Sequence, residues 1–147
     1  MDFTKPVSEV MTRHLVTVLP TDKLDVVRDI FEKQNIHHLP VVRFKTLLGI
    51  ISKTDLLNFR KGLKISPAEQ LEEKARLKHY AVEDIMHKGV ATLDAGDRLN
   101  VALQLFLENR FHALPILEND ELVGMLTTFD IIKLLVEEDN ARIKGAK

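Results

Sequence analysis

Two short segments carry the residue types best suited to chemistry, and they share one design. Residues 49–55 have the pattern Gly-x-x-Ser-x-x-Asp, and residues 124–130 have the pattern Gly-x-x-Thr-x-x-Asp. Each lies where an apolar run typical of a strand gives way to a run typical of a helix. The first N–H groups of a helix have no partner within it and form the positive end of its dipole, so they can receive a phosphate. The aspartate could accept hydrogen bonds from a ribose diol.

The same pattern also has a purely structural interpretation. Ser or Thr followed three residues later by an acidic residue is a capping arrangement at a helix start. Glycine lets another segment pack closely. The spacing alone does not decide between a helix cap and a binding site.

Histidines precede a Leu-Pro pair in both segments. His37 and His38 stand before Pro40, and His112 stands before Pro115. A protonated imidazole can act as a cation for phosphate. Such a histidine is more commonly a surface or satisfied core residue. Adjacent histidines also suggest a metal site, but the spacing fixes no third ligand.

The whole chain repeats itself with a period of 75 residues. Residues 7–57 align with residues 82–132 without a gap, and 13 of these 51 positions are identical. We therefore interpret the chain as two copies of one supersecondary unit. The predicted organisation is a first repeat over 1–62, a helical connector over 63–80 and a second repeat over 81–147.

Each copy is predicted to have the element order β-α-β-β-α. Apolar runs predict a first strand at 15–18 and 90–93, and hairpins that pair 39–43 with 47–51 and 114–117 with 122–126. Asp22 and Asp97 are predicted to be N-caps, and the last helices are expected to begin near Lys53 and Thr128. In the connector, Ser66 with Pro67 and Glu69 predicts a capped, mostly polar helix over about 67–79.

Composition excludes several classes of protein. The chain has 147 residues, 45% hydrophobic and 29% charged, with a net charge of −1. Without cysteine there is neither a disulfide framework nor a thiol nucleophile. No apolar run approaches the ~20 residues that span a bilayer, and the first residues lack the core of a signal peptide, so we expect a cytoplasmic protein. With no basic stripe, one Tyr and no Trp, nucleic-acid binding is not expected.

These features together resemble the cystathionine-β-synthase (CBS) domain family, in the form of a stand-alone CBS pair, or Bateman module. The resemblance covers about residues 7–137. It rests on the opening Val-Ser-Glu-Val-Met-Thr of residues 7–12, on residues 37–42 and 112–117, and on the Gly-x-x-Ser/Thr-x-x-Asp pattern in both copies. It implies an α/β (α+β) fold of two tandem β-α-β-β-α repeats, packed sheet to sheet with pseudo-two-fold symmetry.

The resemblance also implies up to two clefts for adenine nucleotides or related adenosyl ligands. Carried over by position, a stronger cleft uses His37, His38, Ile50, Ser52, Thr54 and Asp55, with Met86, Ala91 and Phe111 around the base. A weaker cleft uses His112, Met125, Thr127, Phe129 and Asp130, with Met11, Val16 and Ile36. Ala113 and the bulky Phe129 weaken the second cleft. Core packing is the alternative role for the apolar members.

The function expected from this resemblance is a non-enzymatic regulatory module that binds AMP, ADP or ATP without a catalytic cofactor. It would act on a separate, unknown partner protein. The alternative is an assembly or interaction protein with vestigial, empty clefts. We also expect a homodimer, because apolar residues recur on the last helices of both copies at Leu56, Leu57, Phe59, Ile131, Ile132, Leu134 and Leu135.

Overall fold

Five strands and six α-helices, with one 3-10 helix near the start, are the regular elements of the residues that the structure describes. The computed structural model describes residues 1–109 and 111–145; residues 146 and 147, the end of the predicted second repeat, lie outside this range. The elements are a 3-10 helix Val7–Glu9, α1 Leu24–Lys33, β1 His38–Arg43, β2 Thr46–Ser52, α2 Lys53–Arg60, α3 Pro67–His79, α4 Val82–Ile85, β3 Leu93–Asp94, α5 Leu99–Asn109, β4 Ala113–Glu118, β5 Glu121–Thr127 and α6 Thr128–Gly145. The mixed α/β class predicted from the sequence is confirmed.

The chain forms two compact units that do not follow the order of the repeats. The first unit combines Met1–Leu15 with Ala91–Lys147, and the second is Val16–Val90. In the first unit the Val7 N–H donates to the Asp97 carbonyl at 2.7 Å. The equivalent bond in the second unit joins the Val82 N–H to the Asp22 carbonyl at 2.8 Å. Each unit therefore combines the opening segment of one repeat with the sheet and helices of the other.

The second unit is built on the antiparallel hairpin β1–β2, in which Pro40 pairs with Ile50. The hairpin and α1 share one core, which includes Leu24, Leu39 and Ile51. The connector helix α3 packs against α1 and buries Leu77 in the same core. The connector is therefore an integral part of this unit, although its sequence is mostly polar.

The first unit contains a sheet with the strand order β3-β4-β5. Its short strand β3 runs parallel to β4, and β5 returns antiparallel to β4 across a tight turn at Asn119 and Asp120. Both turn residues have positive φ, 52° and 63°. Asn and Asp tolerate this conformation well, and it gives hairpin turns the twist of their strands.

The predicted first strand of each copy is largely wrong. In place of a strand at 15–18, Val18 forms a single bridge with Val41. In the second copy the strand is Leu93–Asp94 rather than 90–93. The segments touch the hairpin at one or two residues before the chain turns away, so an apolar run was not enough to form a full strand.

Asp22 and Asp97 close turns and do not act as the predicted N-caps. The N-cap of α1 is Lys23. Asp22 Oδ2 accepts the Leu19 N–H at 2.8 Å, and Asp97 Oδ2 accepts the Asp94 N–H at 2.9 Å. Each carboxylate accepts the N–H of the residue three positions earlier, and each aspartate lies two residues before the first residue of its helix, outside the N-cap position.

The predicted cap of the connector helix is present. Pro67 is its first residue, and the Ser66 hydroxyl accepts the Glu69 N–H at 3.1 Å. None of the helices in residues 1–109 and 111–145 is long and apolar enough to cross a bilayer.

Candidate functional site

The junction of β2 and α2 is a complete capping box. Ser52 Oγ accepts the Asp55 N–H at 3.0 Å, and Asp55 Oδ2 accepts the Ser52 N–H at 2.8 Å. The structural interpretation of the Ser-x-x-Asp pattern is therefore observed. One oxygen of the Asp55 carboxylate, Oδ2, is thus hydrogen-bonded to the main chain, and the other, Oδ1, takes no part in the capping box.

The second oxygen of Asp55 contacts a residue that the sequence analysis did not select. His87 Nε2 lies 2.8 Å from Asp55 Oδ1. The His87 side chain is 70% exposed, whereas that of Asp55 is 13% exposed. The His87 main chain is held by paired hydrogen bonds with Ile50, at 2.9 and 3.0 Å. The imidazole is thus a solvent-facing group on a fixed backbone.

The first unit repeats this arrangement at the junction of β5 and α6. Asp130 Oδ2 accepts the Thr127 N–H at 2.8 Å, and Thr127 Oγ1 accepts the Asp130 N–H at 3.2 Å. Here Asp130 Oδ1 accepts the Thr12 hydroxyl at 2.9 Å. The Thr12 main chain pairs with Met125 at 2.8 and 3.0 Å. Thr12 and His87 are exactly 75 residues apart and occupy equivalent positions.

Sequence reasoning could have found this pair of residues. Both follow directly after the repeated methionine, at Met11 and Met86, within the aligned segment. The aligned position carries Thr in one copy and His in the other, so comparison by identity passed over it. Only the folded arrangement shows that the two side chains contact equivalent oxygens, Oδ1 of Asp55 for His87 and Oδ1 of Asp130 for Thr12.

The histidines before the Leu-Pro pairs adjoin the helix starts. The Lys53 N–H donates to the His37 carbonyl at 2.9 Å, and the Thr128 N–H donates to the His112 carbonyl at 3.1 Å. The N–H groups of the first and third residues of α2 are thus already used, by His37 and by Ser52. An anion at this turn would depend on the N–H of Thr54 and on nearby cationic side chains more than on the full set of helix N–H groups.

The repeated methionines pack against the repeated glycines. A side chain at Gly124 would collide with the Met11 thioether, and one at Gly49 would collide with the His87 carbonyl and approach Met86. Met11 is buried in the core of the first unit, and Met86 packs on the core of the second. Packing is therefore an observed role of both methionines.

The remaining predicted site residues are divided between the units. The second unit contains His37, His38, Ile50, Ser52, Thr54, Asp55 and Met86, together with Val16 and Ile36 from the other predicted set. The first unit contains Met11, His112, Met125, Thr127, Phe129 and Asp130, together with Ala91 and Phe111. Ile50 and Met125 are buried, whereas Thr54, His37, His112 and Phe129 are exposed.

The site region holds no metal-binding cluster within the described ranges. No group of three His, Asp or Glu side chains in residues 1–109 and 111–145 could hold a metal ion.

An ion pair that alters a carboxyl pKa lies elsewhere in the second unit, where Arg60 Nε lies 2.7 Å from Glu73 Oε1. The hydrogen bond from Arg60 lowers the pKa of Glu73. Arg60 at the end of α2 therefore forms an ion pair with Glu73 of α3.

Comparison with known proteins identifies the class of the fold and its repeats. The family model described as "CBS domain" matches residues 7–62 and 82–137. The chain therefore belongs to the CBS domain family and contains two such domains.

Curated relatives share this pair of domains at modest identity. An inosine-5'-monophosphate dehydrogenase of Thermoplasma acidophilum is 29% identical over 84% of this chain but only 22% of its own length. A CBS domain-containing protein of Dictyostelium discoideum is 28% identical over 89% of this chain and 91% of its own length. The chain spans between 22% and 48% of the first four curated relatives, so the likeness to the dehydrogenase concerns only part of that enzyme.

Solved structures agree on the fold. CBSX2 in complex with AMP is 26% identical, with a TM-score of 0.74 over 90% of this chain and 97% of that one. CBSX2 from Arabidopsis thaliana, at 23% identity, superposes with a TM-score of 0.78 over 93% of this chain. The recognition of a CBS pair from the sequence is confirmed.

Proposed function

We propose that this chain is a non-enzymatic regulatory module that binds an adenine nucleotide or related adenosyl ligand and acts on a separate partner protein. One observation carries the proposal. In each unit, a partly buried aspartate at a helix start, Asp55 or Asp130, has one carboxylate oxygen hydrogen-bonded within its own turn. Its other oxygen contacts an exposed residue of the segment that pairs with the hairpin, His87 for Asp55 and Thr12 for Asp130. Membership of the CBS family and the likeness to an AMP complex of a CBS pair support it.

The chemistry of the Asp55 turn suits a ribose. A carboxylate oxygen has two lone pairs and accepts hydrogen bonds from adjacent hydroxyls. Asp55 Oδ1 contacts only an exposed side chain among the bonds described for it, and that side chain can rotate away. Lys53, Thr54 and His37 are exposed beside the same helix start and would provide donors to a phosphate.

The Asp130 turn is expected to be weaker. Its equivalent positions carry Thr128 and Phe129 in place of Lys53 and Thr54, and Ala113 in place of His38. A ring and a methyl group give no hydrogen bond to a phosphate. We therefore propose that the Asp55 turn holds the stronger site.

Regulation by such a module would follow from differential binding. A nucleotide shifts the population of two conformations only if it binds one of them better. The stabilised conformation would present a different surface to the partner. We further propose that the protein acts as a homodimer in the cytoplasm.

The test is thermal unfolding of the full chain with AMP, ADP, ATP, S-adenosylmethionine and NAD, with GMP as the control for the base. A ligand at 100 times its Kd adds about 2.7 kcal/mol to the free energy of unfolding, a rise of several degrees in Tm. A rise with an adenosyl ligand and not with GMP supports the proposal. No rise with any of them favours an assembly protein with empty clefts, and turnover of ATP contradicts a non-enzymatic role.

A further inference from the structure

One residue at the Asp55 turn can change its charge where its counterpart cannot. His87 and Thr12 occupy the same position of the repeat. His87 Nε2 lies 2.8 Å from Asp55 Oδ1, and the Thr12 hydroxyl lies 2.9 Å from Asp130 Oδ1. Imidazole gains a proton between about pH 5 and 8, whereas a hydroxyl keeps its proton at every pH of interest. The two turns thus differ in whether solution pH can act on them.

We propose that His87 is a specificity-determining residue that competes with ligand hydroxyls for Asp55 Oδ1, so that acid weakens the binding of a ribose at this turn alone. The inference rests on the proposed function of the turn. It assigns to His87 a role that the Gly-x-x-Ser-x-x-Asp pattern does not indicate.

His87 and the ligand hydroxyls compete because the Asp55 carboxylate has few unoccupied hydrogen-bond acceptor positions. Asp55 Oδ2 accepts the Ser52 N–H at 2.8 Å, so Oδ1 is the oxygen left for a ligand. A diol that places both hydroxyls on Oδ1 uses both of its lone pairs, so His87 must then give up its hydrogen bond. A neutral imidazole donates one hydrogen bond to this charged oxygen. A protonated imidazole donates the same hydrogen bond and adds the attraction between opposite charges. A diol that displaces His87 therefore loses more free energy in acid than in base.

The position of His87 allows the displacement. Its ring is 70% exposed, while its main chain is fixed to Ile50 by two hydrogen bonds. The ring can leave Asp55 by rotation about its side-chain bonds, without any change in the strand pairing. At the Asp130 turn the Thr12 hydroxyl is a neutral donor, so competition there does not depend on pH.

Other charged groups on the adjoining elements contribute to the local field. They are Lys53 on α2, Glu83 and Asp84 on α4, Lys88 beside His87, and His37 and His38 before and at the start of β1. Asp84 is engaged by the Ala81 N–H at 2.8 Å, and Arg60 at the far end of α2 is held by Glu73. His37 and His38 would favour a phosphate in acid, which is opposite in sign to the effect of His87. A ligand without phosphate therefore isolates the contribution of His87.

The experiment measures the Kd of adenosine by calorimetry at about pH 5.5 and about pH 8. For the wild-type chain we expect the Kd to be about tenfold higher at the lower pH. His87→Thr copies the residue of the other repeat and should remove this difference. His87→Gln keeps a neutral side-chain donor and should also be insensitive to pH. His14→Thr changes an exposed histidine of the first unit and should behave as wild type.

A second readout is independent of affinity. The imidazole NMR signals of His87 should shift on addition of adenosine and stay unchanged with 2',3'-dideoxyadenosine, which lacks the diol. The inference is overturned if His87→Thr retains the wild-type pH dependence, or if His87→Thr weakens adenosine binding at both pH values. If no variant and no wild-type chain binds adenosine or AMP at either pH, the proposed function itself fails and this inference fails with it.

Discussion

Thr12 holds in one compact unit the position that His87 holds in the other. Each pairs its main chain with the middle of a hairpin strand and directs its side chain to the first-turn aspartate of the following helix. The repeat thus conserves a geometry while it changes the chemistry of the donor. This difference, together with the differences at Thr54 and His38, makes the two turns unequal and leads to the first prediction.

Asp55→Ala is expected to abolish tight nucleotide binding, and Asp130→Ala is expected to leave it largely intact. The first variant removes the proposed acceptor of the ribose hydroxyls, and a hydrogen bond to a charged group accounts for tenfold or more in affinity. Calorimetric titration with AMP measures the effect. Because both aspartates also cap helices, each variant should lose about 1 kcal/mol of stability, and thermal unfolding must first show both to be folded. The opposite pattern of binding would place the stronger site at Asp130.

Gly49→Ala is expected to destabilise the chain more than Gly124→Ala. A methyl group at Gly49 meets the His87 main-chain carbonyl, which cannot move without loss of its pairing with Ile50. A methyl group at Gly124 meets the flexible side chain of Met11. Overpacking costs about 1–3 kcal/mol, and we expect Gly49→Ala at the upper end and Gly124→Ala at the lower. Urea unfolding measures both. Equal decreases in the free energy of unfolding would contradict this prediction, because they would mean that the main chain at His87 moves as easily as the Met11 side chain.

Glu73→Gln is expected to lower the free energy of unfolding by about 1 kcal/mol at neutral pH, since it removes a charge-assisted bond that is partly screened by solvent. The bond from Arg60 lowers the pKa of Glu73 in the folded chain below its ordinary value of 4.5. The stabilisation is therefore fully present above about pH 4.5 and is lost as the pH falls through the lowered pKa.

Denaturant unfolding from neutral pH into acid checks this dependence. Glu72→Gln, on the exposed side of the same helix, is the matched control. A loss for Glu73→Gln that is the same at every pH would contradict the role of the ion pair.

Phosphorylated ligands are expected to lose affinity relative to adenosine as the pH rises. A phosphate favours the protonated form of a nearby imidazole, and His37, His38 and His112 are the imidazoles beside the two turns. The informative quantity is the ratio of the AMP and adenosine affinities at about pH 6 and about pH 8, because His87 affects both ligands alike. A ratio that does not change with pH would show that Lys53 and the helix start suffice for the phosphate.

The exposed apolar residues of α6 are expected to form a homodimer interface. Of the residues selected from the sequence, Leu56 and Ile131 prove to be core residues, whereas Leu57, Ile132 and Leu135 are exposed. Sedimentation velocity at micromolar concentration should give about twice 16.8 kDa for wild type and the monomer mass for Ile132→Glu. Val101→Glu, at an exposed position on α5, should remain dimeric. A wild-type monomer would end this proposal.

The sequence by itself determined the family, the repeat and most of the local structure. The hairpins, the starts of α2 and α6 and the cap at Ser66 all depend on neighbours within a few residues, and such neighbours are visible in a sequence. The prediction was wrong for the strand at 15–18 and for the cap at Asp22. The apolar run at 15–18 forms only a single bridge, from Val18 to Val41, and the Asp22 carboxylate accepts the Leu19 N–H rather than a helical N–H.

Tertiary structure decided what lies opposite each turn. The pairing of Val7 with Asp97, and of Val82 with Asp22, joins the opening of one repeat to the body of the other. No local pattern encodes this exchange, because the interacting groups are far apart in the chain. The same exchange brings His87 to Asp55 and Thr12 to Asp130. The carboxylates were found from spacing, but the side chains that compete for them were fixed by long-range packing alone.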